Sequence, residues 1–415
     1  MKIFIQIASY RDPELEPTIK NCLENSKNPK NLVFGICRQY HPEDKFDELL
    51  EYRKDKRFKI VDVLYTETKG ACWARNQIQQ LFNNEEYTLQ LDSHMRFEKN
   101  WDETLIGMYQ QLKNKGIKKP LLTGYVSSYD PNNDPEGRVN VPWRMVFDKF
   151  IPEGAVFFLP ETIPNWKELE EPIPARFYSA HFCFTSGDFA KNVQHNPDFY
   201  FHGEEISLAV RAFTHGYDLF HPHKVVIWHE YTRNGRTKHW DDDKEWWKLN
   251  ENAHSLNRKL FGMDNNQQEG HDGNYGFGKE RTLRDYEKYS GLLFEKRAVQ
   301  QYTLDKKYPP NPFEYDTDQK WIDSFTKLVN FTIKVDKNKF DKNDYDFWAV
   351  IFTDESGYEI SRKDCNQGEI RNLLDGNLDF VYIDREFNTA INPTKWVVWP
   401  HSVSEGWLER MEGNL

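Results

Sequence analysis

Leu89–Phe97 reads LQLDSHMRF. An apolar, strand-like run stops at Asp92 and is followed by Ser93 and His94. Residues i and i+2 of an extended chain point the same way, so Asp92 and His94 are expected to converge just past the strand's C-terminal end. In an open α/β sheet, that edge is where ligands bind. The pair alone admits two readings. Asp92 caps a turn while His94 is solvated, or the two side chains hold a divalent cation. Hard Mg²⁺ and Mn²⁺ prefer oxygen donors, and Mn²⁺ also accepts imidazole.

Outward from this stretch, strand and helix patterns alternate. Lys2–Ala8, Leu32–Cys37, Phe58–Tyr65, Tyr87–Asp92 and Leu121–Tyr125 read as strands; Pro13–Asn25, Lys69–Phe82 and Trp101–Lys115 read as helices. Such alternation predicts an α/β fold with a mainly parallel sheet covered on both faces. Asn132–Pro174 is Pro-rich and weakly patterned. Beyond it, Phe177–Thr185 reads as a strand, and Glu204–His215 as a helix stopped by Gly216. Val225–Trp228 is a short buried strand leading into His229, and Asp241–Leu260 and Leu283–Ala298 read as helices. The composition changes near Tyr308–Pro312 (YPPNP). After it, Phe331–Val335, Phe347–Phe352, Phe380–Ile383 and Trp396–Trp399 predict a small all-β domain of sandwich type. The expected domains are therefore residues 1–305 and 313–415.

The bulk numbers exclude several classes. A chain of 415 residues calls for more than one domain. Its net charge of −11 argues against nucleic acid or an anionic membrane as a general partner. No run approaches the roughly 20 apolar residues of a membrane span. Five scattered cysteines (Cys22, Cys37, Cys72, Cys183, Cys365) form no CxxC pair and suit reduced thiols, hence a cytoplasmic setting.

Further candidates lie where this topology places loops and helix starts. A third cation ligand is offered by His229 in VVIWHEYTR, whose ordinary reading is a structural histidine. The basic loop Thr232–Trp240 follows, with Arg233, Arg236 and Lys238. It is either a solvated loop or a lid over phosphates. In IASYRDPEL, Ala8 ends the first strand and Ser9, Tyr10 and Arg11 follow it, where Tyr10 can stack on a base. In KGACWARNQ, Arg75 sits one turn into a helix whose N-terminus attracts phosphate. Glu204 and Glu205 open another helix. There they either complement the helix dipole or hold hydroxyls in the cleft.

Taken together, IASYRDPEL, ACWARNQ, LQLDSHMRF with WDETLI, SAHFCFTSGDF and YFHGEEISLAVRAFTHGYDLFHPHKVVIWHEYTR resemble the cytoplasmic polypeptide (hydroxyproline) α-N-acetylglucosaminyltransferases over roughly residues 1–260. More distantly they are similar to the mucin-type polypeptide N-acetylgalactosaminyltransferases. The resemblance implies a GT-A nucleotide-diphospho-sugar transferase fold, Rossmann-like. It also implies a retaining, metal-dependent transfer from a UDP-sugar, with UDP-GlcNAc the expected donor, to a hydroxyl of a polypeptide. It places Asp92 and His94 as a DXD-like Asp-x-His pair and His229 as the later metal ligand for Mn²⁺ or Mg²⁺. The loop after His229 matches the lid, Ser9–Arg11 the uridine-binding loop and Arg75 a donor-contacting arginine. Either Glu204 or Glu205 matches the Gly-Glu helix start. No protein nucleophile is assigned.

Rival readings keep the same residues in view. A polysaccharide or glycolipid acceptor is favoured if Trp396, Trp399 or Trp407 are exposed for sugar, against the ordinary expectation of core packing. A metal-dependent hydrolase would use His221, His223, His229 and Asp92. A third is a nucleotide-sugar binder without turnover.

Overall fold

A computed structural model of the chain describes residues 1–232, 235–264, 275–376 and 378–415. It divides into two compact units, Met1–Glu295 with Tyr302–Phe313, and Lys296–Gln301 with Glu314–Leu415. No helix among the described residues is long and apolar enough to cross a membrane.

The first unit is built on strands β1 (Ile3–Tyr10), β2 (Leu32–Tyr40), β3 (Phe58–Leu64) and β4 (Tyr87–Asp92). After β4 come β5 (Met95–Phe97), β6 (Pro120–Thr123), β7 (Ser127–Ser128), β8 (Trp143–Phe150) and β9 (Val156–Thr162). Four more follow, β10 (Ile173–Pro174), β11 (Phe182–Ser186), β12 (Asp218–His221) and β13 (Ile227–His229). Its helices include α1 (Leu15–Asn25), α2 (Ala71–Gln79), α3 (Trp101–Asn114), α4 (Phe189–Asn192) and α5 (Glu204–Thr214). The main sheet runs β10-β12-β6-β11-β4-β1-β2-β3. Neighbours β4, β1, β2 and β3 are parallel, as are β12 and β6, while β11 is antiparallel to both β4 and β6.

Period-2 alternation assigns the faces of β1. Ile3, Ile5 and Ile7 pack with Phe34, Leu89, Leu91 and Trp101 on the side covered by α1 and α3. Phe4 joins Val33, Cys37, Ala74 and Ile78 on the opposite side, under α2. Both faces are dry, which is why these strands read as continuous apolar runs. The mixed α/β class with a parallel-rich sheet is the one expected.

Local readings differ in places, among them the helix expected over Asp241–Leu260, which is broken between Asp242 and Trp246. The strand expected over Phe177–Thr185 starts only at Phe182; Ser179 and His181 precede it in a loop whose polar groups bind one another. The helix expected over Leu283–Ala298 stops at Ser290, where Gly291 takes the left-handed conformation (φ 69°) that ends helices. The unpatterned segment Asn132–Pro174 contains the β8–β9 hairpin.

In the second unit, Phe325–Asp336 pairs antiparallel with Phe380–Thr389, and Tyr345–Thr353 with Lys395–Ser402. One core gathers Ile333, Val335, Trp348, Val350, Phe352, Val381, Ile383 and Val398 from the two sheets. The helix Gln367–Asp375 adds Ile370 to it, an element the strand-only reading of this region lacks. Trp396 packs partly buried against that core, whereas Trp407 is 45% exposed with its ring 4.4 Å from Trp399. All five cysteines are free and buried.

Candidate active site

At the C-terminal ends of β1 and β4, Ala8 lies in register beside Asp92. A cavity of about 470 Å³ opens there, within the ~300–1,000 Å³ usual for small-molecule sites. Arg75 of α2, Glu204 and Glu205 of α5, Val156–Phe158 of the hairpin and Arg236–Trp240 all line it.

A small sheet, β5-β13-β7, completes the site. Antiparallel pairing sets His229 of β13 opposite Met95, the residue after His94. As a result, His94 Nε2 lies 3.0 Å from His229 Nε2 and 3.7 Å from Asp92 Oδ2, and His229 Nε2 lies 3.4 Å from Asp92 Oδ2. Asp92, His94 and His229 thus offer one carboxylate oxygen and two imidazole nitrogens to a common point. Burial opposes the charged form of Asp92, but His229 and Arg75 hold its carboxyl well below the usual range. Burial lowers His229 to about 4, so its ring is neutral and able to ligate. This donor set fits Mn²⁺, and Mg²⁺ less closely because of its two imidazoles.

Arg75 ties the two acidic sites together. Its Nη2 donates to Asp92 Oδ1 and its Nη1 to Glu204 Oε1, both at 2.7 Å. His195 Nδ1 lies 3.2 Å from the same Glu204 oxygen. Burial disfavours ionised Glu204, yet Arg75 and His195 keep it below its ordinary value. Glu205 differs. It accepts from Ala180 N–H at 2.9 Å and Tyr125 O–H at 3.1 Å, and burial with Glu204 alongside pushes it up to about 7.

Not every expected residue faces the cavity. Ala8, Tyr10, Ser93, Arg75, Arg236 and Lys238 line it with the metal-ligand candidates and both glutamates. Ser9 is buried, and Arg11 turns to Asp44 and Asp242, each 2.8 Å away. Tyr10 also donates to Asp242, at 2.7 Å. Arg233 lies outside the described residues. Residues without an assigned role in the sequence also enter. His181 stacks on His229 with ring centroids 4.4 Å apart and 20° between planes, and Asp12 binds His94 Nδ1 at 2.8 Å. Tyr125, Tyr200, Tyr231 and the hairpin phenylalanines are among the others.

The cavity wall also depends on Gly70, which precedes α2 with φ 96°. A Cβ there would stand 2.6 Å from the Tyr200 ring. Gly70→Ala combines left-handed strain with this overlap and is expected to cost about 2 kcal/mol of stability, read from the urea midpoint.

A family model described as Glycosyltransferase (GlcNAc) matches residues 2–56 and 43–296. The chain belongs to this glycosyltransferase family. The match spans β1–β13 and so contains every residue of the site. Among solved structures, GalNAc-T7 with UDP, GalNAc and Mn²⁺ is similar at 12% identity, covering 69% of this chain and 54% of that chain, with a TM-score of 0.45. This chain therefore spans about half the length of that one. S. aureus TarS 1–349 in complex with UDP-GlcNAc is similar at 14% identity, over 60% and 64% of the chains, TM-score 0.36. The mannosyltransferase PcManGT from Pyrobaculum calidifontis, with GDP-Man and Mn²⁺, is similar at 12% identity over 57% and 58%, TM-score 0.37. No curated protein matches the chain.

For this glycosyltransferase, Glu205 gives a pH signature. Its native value near 7 lies above the unfolded one, so its contribution to stability is lost as pH rises from about 4.5 through 7. Glu205→Gln does not titrate. Its stability relative to wild type is expected to rise by up to about 3 kcal/mol between pH 5 and pH 8, measured as urea midpoints. A pH-independent difference would contradict the reading of Glu205 as a group poised near neutrality.

Proposed function

We propose that the protein is a retaining GT-A transferase that moves α-GlcNAc from UDP-GlcNAc to a hydroxyl of a polypeptide with the help of Mn²⁺ or Mg²⁺. The observation that carries the reading is the meeting of Asp92, His94 and His229 in a cavity that Arg75, Arg236 and Lys238 also line. The parallel-rich sheet, with its ligand-bearing edge at Asp92, supports the GT-A assignment. GlcNAc is supported by the family description. The retaining course and the polypeptide acceptor are supported by the likeness of the quoted motifs.

Asp92, His94 and His229 would hold a divalent cation, which when bound would supply positive charge toward a departing diphosphate. The chain's own residues do the rest. Arg75 keeps Asp92 ionised and fixes its second oxygen. Ala8 and Tyr10 form the wall at the end of β1, on the side that suits a flat base. Arg236 and Lys238 add positive charge at the rim and keep water from the donor. Glu205 and Tyr125 present polar groups that orient sugar or acceptor hydroxyls. Free, buried cysteines support a reducing, cytoplasmic setting.

The hydrolase alternative loses its ligand set. His221 Nδ1 faces the Thr123 carbonyl at 2.8 Å, and neither His221 nor His223 lines the cavity.

The test is release of UDP from a panel of UDP-sugars with Mn²⁺ or EDTA. Metal-dependent release that favours UDP-GlcNAc, followed by label transfer to hydroxyl-bearing peptides, is the expected result. Release with transfer only to oligosaccharides would overturn the acceptor. No release from any UDP-sugar, with no metal-dependent binding of UDP, would overturn the whole reading.

A further inference from the structure

We infer that Asp12 is a positioning residue that sets His94 as the pre-oriented ligand of the metal site, and that Arg236 competes for the same carboxylate. The inference rests on the metal-dependent reading above and adds two residues that are not ligands.

Asp12 follows β1 and is 2% exposed. Its Oδ1 accepts the Glu14 N–H at 2.9 Å. Its Oδ2 faces three donors: Ser93 Oγ at 2.6 Å, His94 Nδ1 at 2.8 Å and Arg236 Nη1 at 3.2 Å. An ionised carboxylate only accepts hydrogen bonds. Asp12 therefore draws the proton of a neutral His94 ring to Nδ1, leaving the lone pair on Nε2, whereas Arg236 Nη1, a donor that also stands against Nδ1, opposes that tautomer. Nε2 is the nitrogen directed at His229 and Asp92. The tautomer that Asp12 favours is the one a cation requires, and the carboxylate behind it makes the ring a stronger donor.

The two histidines are not equivalent. His229 Nδ1 is buried and has no hydrogen-bond partner among the described residues. The contacts of its ring nitrogens are at Nε2, to Asp92 Oδ2 and His94 Nε2, so His94 has a carboxylate behind it at Nδ1 and His229 does not.

Arg236 also lies 3.5 Å from Glu230. By drawing on the Asp12 charge and standing as a cation beside the site, it weakens the backing of His94. The same positive charge favours an anionic diphosphate. Loss of Arg236 should therefore strengthen binding of the bare metal and weaken binding of UDP. A residue with a merely structural role would not give opposite signs.

Mn²⁺ binding to the full chain is to be measured by calorimetry without nucleotide, and UDP binding in the presence of Mn²⁺. Asp12→Ala is expected to raise the Mn²⁺ Kd about 10–100-fold. Asp12→Asn, which keeps an accepting oxygen but loses the charge, should fall between it and wild type. Arg236→Gln is expected to lower the Mn²⁺ Kd severalfold and raise the UDP Kd. An unchanged Mn²⁺ Kd in Asp12→Ala, or a raised one in Arg236→Gln, overturns the inference. If Asp12→Ala fails to fold, imidazole ¹⁵N shifts of the metal-free wild type decide: a proton on His94 Nδ1 supports the inference and one on Nε2 overturns it. A wild type that binds UDP but no Mn²⁺ overturns instead the metal-dependent reading on which this rests.

Discussion

Asp92→Asn is expected to lower metal-dependent UDP release about 10³-fold, a loss of several kcal/mol of transition-state stabilisation. The effect is large because one side chain serves two cations. Its Oδ2 belongs to the ligand set with His94 and His229, and its Oδ1 accepts from Arg75. The amide keeps the shape but removes the charge from both. Mn²⁺ affinity should fall with turnover, since a neutral oxygen is a poorer ligand for a hard cation. Steady-state UDP release and calorimetry on the same preparation check the two halves. Turnover within threefold of wild type would mean that Asp92 is not a ligand.

Arg75→Met is expected to cost about 3–5 kcal/mol of stability near neutral pH. The methionine fills the space but leaves Glu204, 7% exposed, without its cation. Breaking a buried pair costs more than the pair is worth, because the remaining charge is neither solvated nor compensated. The sign with pH follows from linkage. Wild-type Glu204 lies below its unfolded value, so it stabilises above about pH 4.5 and loses that contribution on acidification. In the variant only His195 opposes burial, so Glu204 loses the depression that Arg75 gives it and with it the stability present above about pH 4.5. The gap between the two proteins should be widest near pH 8 and narrow as pH falls below about 4.5. Urea midpoints across that range test it; a constant gap would mean that Glu204 is not the cause.

The residues legible in the sequence are those whose role is local. The strand that ends at Asp92 and the i, i+2 relation to His94 are properties of one short stretch. His229 follows its own apolar strand, and Arg75 lies one turn past a glycine that opens a helix. What escaped depends on contacts between distant segments. Asp12 stood in a quoted loop, but its bond to His94 joins residues 82 apart. Arg11 beside it looked equally available, yet Asp44 and Asp242 hold it away from the cavity. His181 sat inside an assumed strand, and only the late start of β11 frees it to stack on His229. The β8–β9 hairpin does carry a turn signal, Pro152-Glu153-Gly154 with Gly154 at φ 94°, but the prolines on either side of the segment disguise the strands that flank it. The helix Gln367–Asp375 could have been found: Asn366 caps it by accepting from Glu369 N–H at 3.0 Å, and Ile370, Leu373 and Leu374 recur at helical spacing.

The buried thiols have a use of their own. Burial pushes Cys37 and Cys365 up to about 12 and Cys22 and Cys72 well above the ordinary thiol range. None can be alkylated until its surroundings open. Cys22, Cys37, Cys72 and Cys183 belong to the first unit and Cys365 to the second. Alkylation followed by peptide mass mapping therefore times the opening of each unit separately in one untouched chain. Cys72, whose thiol bonds the Tyr200 carbonyl beside the cavity, becomes a native clock for occupancy of the site.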